Sequence, residues 1–66
     1  MPIIRVEMWK GASKEIKSQL AKALTSDLAR IANKKPQNII VVFSDYEKED
    51  WAIGGELSSD INWSKR

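Results

Sequence analysis

Ile39-Ile40-Val41-Val42-Phe43 is the stretch that most constrains the fold. An uninterrupted run of β-branched and aromatic residues reads as a strand covered on both faces, as the strands of parallel sheets usually are. Little of the chain is available to cover it. With 66 residues, the chain is of a size that buries only about 60% of the surface its unfolded form exposes. No cysteine is present to staple it, so oligomerisation is the expected remedy.

A second strand is expected over residues 2–9. There Pro2, Ile4, Val6 and Met8 fall on one face, and Ile3, Arg5, Glu7 and Trp9 on the other. Lys10-Gly11-Ala12 breaks this alternation, and Ser13 before Lys14-Glu15-Ile16 reads as a helix N-cap with an acidic residue in the first turn. Ile16, Leu20, Leu24, Leu28 and Ile31, flanked by Ala21, Ala23 and Ala32, recur at helical spacing and predict one buried stripe. The helix is expected to end near Asn33, where a left-handed cap, Lys34, Lys35 and Pro36 combine into a stop. The fold class is therefore α/β, a β-α-β unit whose right-handed crossover makes the strands parallel and lays the helix on one face. The opposite face has no cover within the chain. Self-association follows as the simplest way to bury Ile40 and Val42, or whichever set faces away from the helix.

Beyond the second strand, Asp45-Tyr46-Glu47-Lys48-Glu49-Asp50 reads as a solvated acidic loop. Its carboxylates lack the spacing of a calcium loop, so no metal is expected. In Trp51-Ala52-Ile53-Gly54-Gly55-Glu56-Leu57 the paired glycines predict a tight hairpin, an apolar arm suited to crossing onto a neighbouring subunit. Residues 58–66 form a polar tail without an assignable role, in which Trp63 is expected to dock on the body or on a partner.

Composition removes several classes of function. The absence of histidine and cysteine leaves neither the commonest general base nor a thiolate nucleophile. Eleven basic against nine acidic residues give a net charge of +2, and the lysines are scattered rather than gathered into the basic face that nucleic-acid binding needs. No apolar run approaches the roughly 20 residues of a membrane span, and the N-terminus lacks the pattern of a secretory signal. A cytoplasmic protein without nucleic-acid or membrane partners is expected. One unusual chemical group is left. If Met1 is removed, Pro2 becomes an N-terminal secondary amine at the start of a strand and a candidate general base. Proline also suits the first position of a strand for purely structural reasons, because no ladder donor is required there.

Met-Pro at the start, Gly11 and Ser13 opening a long helix, Pro36 ahead of Ile-Ile-Val-Val-Phe, and Trp51-x-Ile-Gly-Gly together resemble the tautomerase superfamily. The resemblance is to its short-chain 4-oxalocrotonate tautomerase branch and covers roughly residues 2 to 57. It implies a single tautomerase-like domain over residues 1–66, assembled as a homo-oligomer, either a dimer or a hexamer, with the tautomerase/MIF-like fold. It further implies a keto-enol tautomerase with no cofactor, in which Pro2 moves a proton on an enolisable small-molecule carbonyl substrate. Trp51 and Trp9 stand where the family places apolar pocket residues. The family's two substrate-binding arginines correspond to Ala12 and Ile40, so Ile40 joins Trp9, Trp51 and Asn38, a donor to a substrate carbonyl, as a candidate substrate-binding residue. Loss of two charge-assisted hydrogen bonds, each worth about 1.5–3 kcal/mol, predicts weak activity on dicarboxylates. Arg5 or Lys10 from a neighbouring subunit is an expected substitute. Dehalogenase or decarboxylase chemistry from the same proline is a lesser expectation. The alternative is a non-catalytic oligomeric scaffold or binding subunit that kept the fold and lost the arginines.

Overall fold

A computed structural model describes residues 1–65. Strand β1 (Ile3–Trp9) is followed by helix α1 (Lys14–Ala32), a 3-10 turn (Pro36–Asn38), strand β2 (Ile40–Tyr46), a second 3-10 turn (Lys48–Asp50), a hairpin of β3 (Ala52–Ile53) and β4 (Glu56–Leu57), and a last 3-10 turn (Trp63–Lys65). β1 and β2 pair in parallel with Ile3 opposite Ile40 and Trp9 opposite Tyr46, and β3 and β4 pair antiparallel. The β-α-β unit read from the sequence is therefore the fold.

The helix ends are set by the residues expected to set them. Ser13 Oγ accepts a hydrogen bond from the Ile16 N–H at 3.2 Å, satisfying one of the orphan donors of the first turn. Asn33 takes the left-handed conformation, φ 56° and ψ 54°, and its N–H donates to the Ala29 carbonyl. The stripe differs at its edges. Leu20, Ala21, Leu24, Thr25, Leu28 and Ala29 are part-covered, whereas Ala23, Ala32, Ile16 (50% exposed) and Ile31 (72% exposed) are open to solvent. Two strands are too narrow to cover a helix of 19 residues from end to end, so periodicity alone assigns more of α1 to the core than the sheet can reach.

β2 is displaced from the expected run. It begins at Ile40 instead of Ile39 and continues through Asp45 and Tyr46, which the sequence places in a solvated loop. Pairing with Met8 and Trp9 carries the strand onward, because a ladder continues as long as its partner offers hydrogen-bonding groups. Asp45 is also not simply solvated, since its Oδ2 lies 2.6 Å from Lys17 Nζ and ties α1 to the end of β2. In the hairpin, Gly54 and Gly55 both have positive φ, 61° and 88°, as a two-residue reversal between right-twisted strands requires.

Parity separates the two faces of the sheet. Ile4, Val6, Met8, Val41 and Phe43 are part-covered on the helix side, while Ile3, Arg5, Glu7, Ile40 and Val42 are exposed on the other. Among the described residues no apolar side chain is fully buried, and the one buried residue is polar, Ser58, at 1% exposure. The radius of gyration is 15.3 Å and the long axis 42 Å, against about 11 Å for the radius of a compact chain of this length. The protomer has a fold without an enclosed core.

Ser58 shows how the C-terminal segment is held. Its N–H donates to the Trp51 carbonyl at 2.7 Å, its Oγ donates to the Lys48 carbonyl at 2.5 Å, and its own carbonyl accepts from Trp63 Nε1 at 3.1 Å. Ser58→Ala removes a buried hydrogen bond and leaves the Lys48 carbonyl without that donor, for an expected loss of about 1–3 kcal/mol. Urea unfolding at matched protein concentration measures it. On the uncovered sheet face, Tyr46 Oη donates to Glu7 Oε1 at 3.0 Å. That hydrogen bond, then the carboxylate's charge and a smaller desolvation, raise the Tyr46 pKa above its ordinary 10.0. A raised folded-state pKa contributes stability that is fully present below pH 10.0 and is lost as pH rises through the shifted value. Tyr46 is the sole tyrosine, so tyrosinate absorbance reads it directly. Its titration midpoint should lie above 10.0 in the native protein and move back toward it in Glu7→Leu.

Candidate active site

The candidate residues fall at the two ends of the parallel pair. At one end Met1 is exposed and Pro2 immediately precedes β1. The Pro2 carbonyl accepts the Ile40 N–H at 3.0 Å, which fixes the start of one strand to the start of the other. Asn38 closes the Pro36–Asn38 turn just before β2 and is exposed, and its side chain makes no hydrogen bond among the described residues. Ile40 sits opposite Ile3 on the face away from the helix, and both are exposed. Pro2 thus has an apolar margin that is open to water in the single chain.

Trp9 and Trp51 are at the other end. Trp9 closes β1, and at about 3.3 Å per residue the distance from Pro2 is roughly 23 Å. Trp51 meets Trp9 edge to face, with ring centroids 6.0 Å apart and planes at 70°. Tyr46 meets Trp51 in the same manner at 5.5 Å. One protomer does not bring Pro2 together with the tryptophans expected to desolvate it.

Trp63 docks on the body, one of the two places expected for it, while the burial of Trp9 Nε1 and the position of Lys48 were missed by sequence reasoning. Trp63 meets Trp9 of its own chain edge to face, at 5.0 Å and 71°, so the tail is folded back against one side of the Trp9 ring. Trp9 Nε1 is buried there without a hydrogen-bond partner among the described residues. Lys48, read as a member of the acidic loop, holds its Nζ 5.1 Å from the centroid of the Trp9 ring. Nearby, Lys10 Nζ pairs with Glu47 at 3.2 Å. No local pattern encodes these contacts, since Lys48 and Trp63 meet Trp9 from 39 and 54 positions away.

A groove of about 710 Å³ lies elsewhere, along the flank of α1 between Ala21, Thr25, Ala29 and Pro36. It includes none of the residues expected to form the site. Among the described residues no cluster of acidic side chains is arranged to hold a metal ion, and no helix is long and apolar enough to cross a membrane.

Comparison with known proteins adds the family. A family model described as "Tautomerase enzyme" matches residues 2–61. The chain is 33% identical over 57 residues to Probable tautomerase RSp1151 of Ralstonia nicotianae, covering 86% of this chain and 88% of that one. It is 32% identical over 60 residues to a probable tautomerase of Bacillus cereus, covering 91% and 98%. Among solved structures, apo unfused 4-OT is 28% identical with a TM-score of 0.87, over 92% of this chain and all of that one. TomN, a 4-oxalocrotonate tautomerase homologue in the tomaymycin biosynthetic pathway, is 25% identical with a TM-score of 0.89, over 98% of this chain and 100% of that one. With the family match running from Pro2 almost to the end of the chain, this protein belongs to the tautomerase superfamily, in its 4-oxalocrotonate tautomerase-like branch.

Proposed function

We propose that this protein is a keto-enol tautomerase whose general acid and base is the Pro2 amine, freed by removal of Met1. The observation that carries this reading is the way Pro2 is held. Its carbonyl is fixed by the Ile40 N–H at the start of the strand pair, next to the exposed apolar Ile3 and Ile40 of the sheet face left open by the helix. Once that face is covered, an ammonium there loses solvation and releases its proton more readily. The neutral amine then takes a proton from an enol hydroxyl or an α-carbon, the resulting dienolate delocalises the charge, and the same proton returns at another carbon. Atoms and oxidation state are conserved, so the chemistry calls for no cofactor. Positioned proton transfer of this kind contributes about 10²- to 10⁴-fold in rate.

The site is composite in this reading. Trp9 and Trp51 stand at the far end of the strands from Pro2 in the same chain, so the apolar wall over Pro2 comes from a second copy. Antiparallel association of two sheets sets the start of one β1 beside the end of its neighbour's. Asn38 and Ile40 then border the amine from its own chain, with Asn38 as a donor to a substrate carbonyl and Ile40 as an apolar contact. A homo-oligomer also answers the missing core, since removing an Ile, Val or Leu side chain from water contributes about 1.5–3 kcal/mol. The exposed Ile3, Ile40 and Val42 and the arm residues Ile53 and Leu57 provide the surface.

Two measurements test this. Intact mass should show Met1 removed, and Pro2→Ala should lower kcat on phenylenolpyruvate by about 10²-fold or more; an unchanged rate removes Pro2 as the base, and a Met1-free native protein without turnover leaves the scaffold reading in its place. Val42→Asp puts a charge on the face to be covered, and analytical ultracentrifugation should find the native oligomer dissociated and turnover lost with it. A fully assembled Val42→Asp protein would mean that this face is not the contact.

A further inference from the structure

We infer that Lys48 is the substrate's carboxylate-binding residue. The inference rests on the composite site proposed above, in which the neighbour's Trp9 walls the Pro2 pocket.

Lys48 carries a charge that its surroundings leave unmatched. It lies between Glu47 and Glu49 with Asp50 close behind, yet among the described residues no carboxylate comes within 4.0 Å of its ammonium. Glu47 pairs with Lys10 instead, and Asp45 with Lys17. The Lys48 ammonium rests on the Trp9 ring at 5.1 Å. A cation on an indole face keeps its N–H donors for an incoming anion, whereas one in a salt bridge has already spent them on a carboxylate.

The backbone beneath it is fixed as well. The Lys48 carbonyl accepts from Ser58, the one fully buried residue among those described, and the turn closes with Asp50 N–H to Glu47 carbonyl at 2.9 Å. A cation on a pinned turn, over a ring of the pocket wall, is organised before the ligand arrives. The rings of Trp9 and Trp51 meet at 70°, offering an apolar corner to a planar group while Lys48 takes the charge. Charge held on the carboxylate also places the adjoining carbonyl oxygen, where negative charge develops during proton transfer, beside the same ammonium.

Cinnamate and its neutral amide, cinnamamide, separate these contributions, because they share the flat apolar group and differ in charge. Tryptophan fluorescence titration of the assembled protein should show cinnamate binding more tightly than cinnamamide by roughly ten- to a hundredfold. Lys48→Met, which keeps an apolar stem on Trp9, should erase the preference by weakening cinnamate alone, and Lys48→Arg should restore most of it. A native protein with no preference for the acid, or a Lys48→Met protein that retains one, overturns the assignment. Pro2→Ala in the same titration keeps the two readings apart. Lost turnover with the cinnamate preference intact supports both readings. Unchanged turnover with the preference intact removes the role of Pro2 and leaves that of Lys48.

Discussion

Two parallel strands cannot be joined by a tight turn, and the crossover that joins β1 to β2 consumes the one long helix among the described residues. From this constraint the rest of the molecule follows. α1 lies on one face of the sheet and covers Ile4, Val6, Val41 and Phe43 in part, so Ile3, Ile40 and Val42 face outward and are exposed. A two-stranded layer with one helix has no interior, and among the described residues the only one it hides completely is a serine in the C-terminal segment. The protomer is better described as half of an interface than as a finished domain.

The polar contacts are distributed to match. Lys17 and Asp45 join helix to sheet at one edge, Lys10 and Glu47 join the strand end to the following turn, and Tyr46 and Glu7 sit together on the open face. An exposed ion pair such as Lys10–Glu47 is worth at most about 1 kcal/mol. The larger effect of these contacts is to settle which cations are already matched. The aromatic end works the same way at shorter range, with Trp9 at the centre of Trp51, Trp63 and Lys48.

Much of this was legible in one dimension, for reasons that differ by element. Ser13 caps through its own side chain, and Asn33 and Pro36 act through their own backbones, so the limits of α1 could be read almost to the residue. The Ile-Ile-Val-Val-Phe run announced β2, but its end could not be read, because β1 and not the local sequence decides how far the ladder continues. Ile16 and Ile31 have the right helical phase and the wrong environment, since phase says nothing about how wide the covering sheet is. Pro2, Trp9, Asn38, Ile40 and Trp51 could each be singled out as residues. Their separation to opposite ends of the strands is a property of chain length, visible only once the register of β1 against β2 is known.

That separation makes β1 a ruler as well as a support. Its seven residues set the span between the proline end and the aromatic end. In an assembly that joins unlike ends, the same span is measured twice, once in each direction. Inserting one residue would lengthen it by about 3.3 Å and turn Trp9 to the opposite face. A single insertion in β1 would then misalign every site of the assembly together, so the number of residues in this strand is constrained even at positions where their identity is free to change.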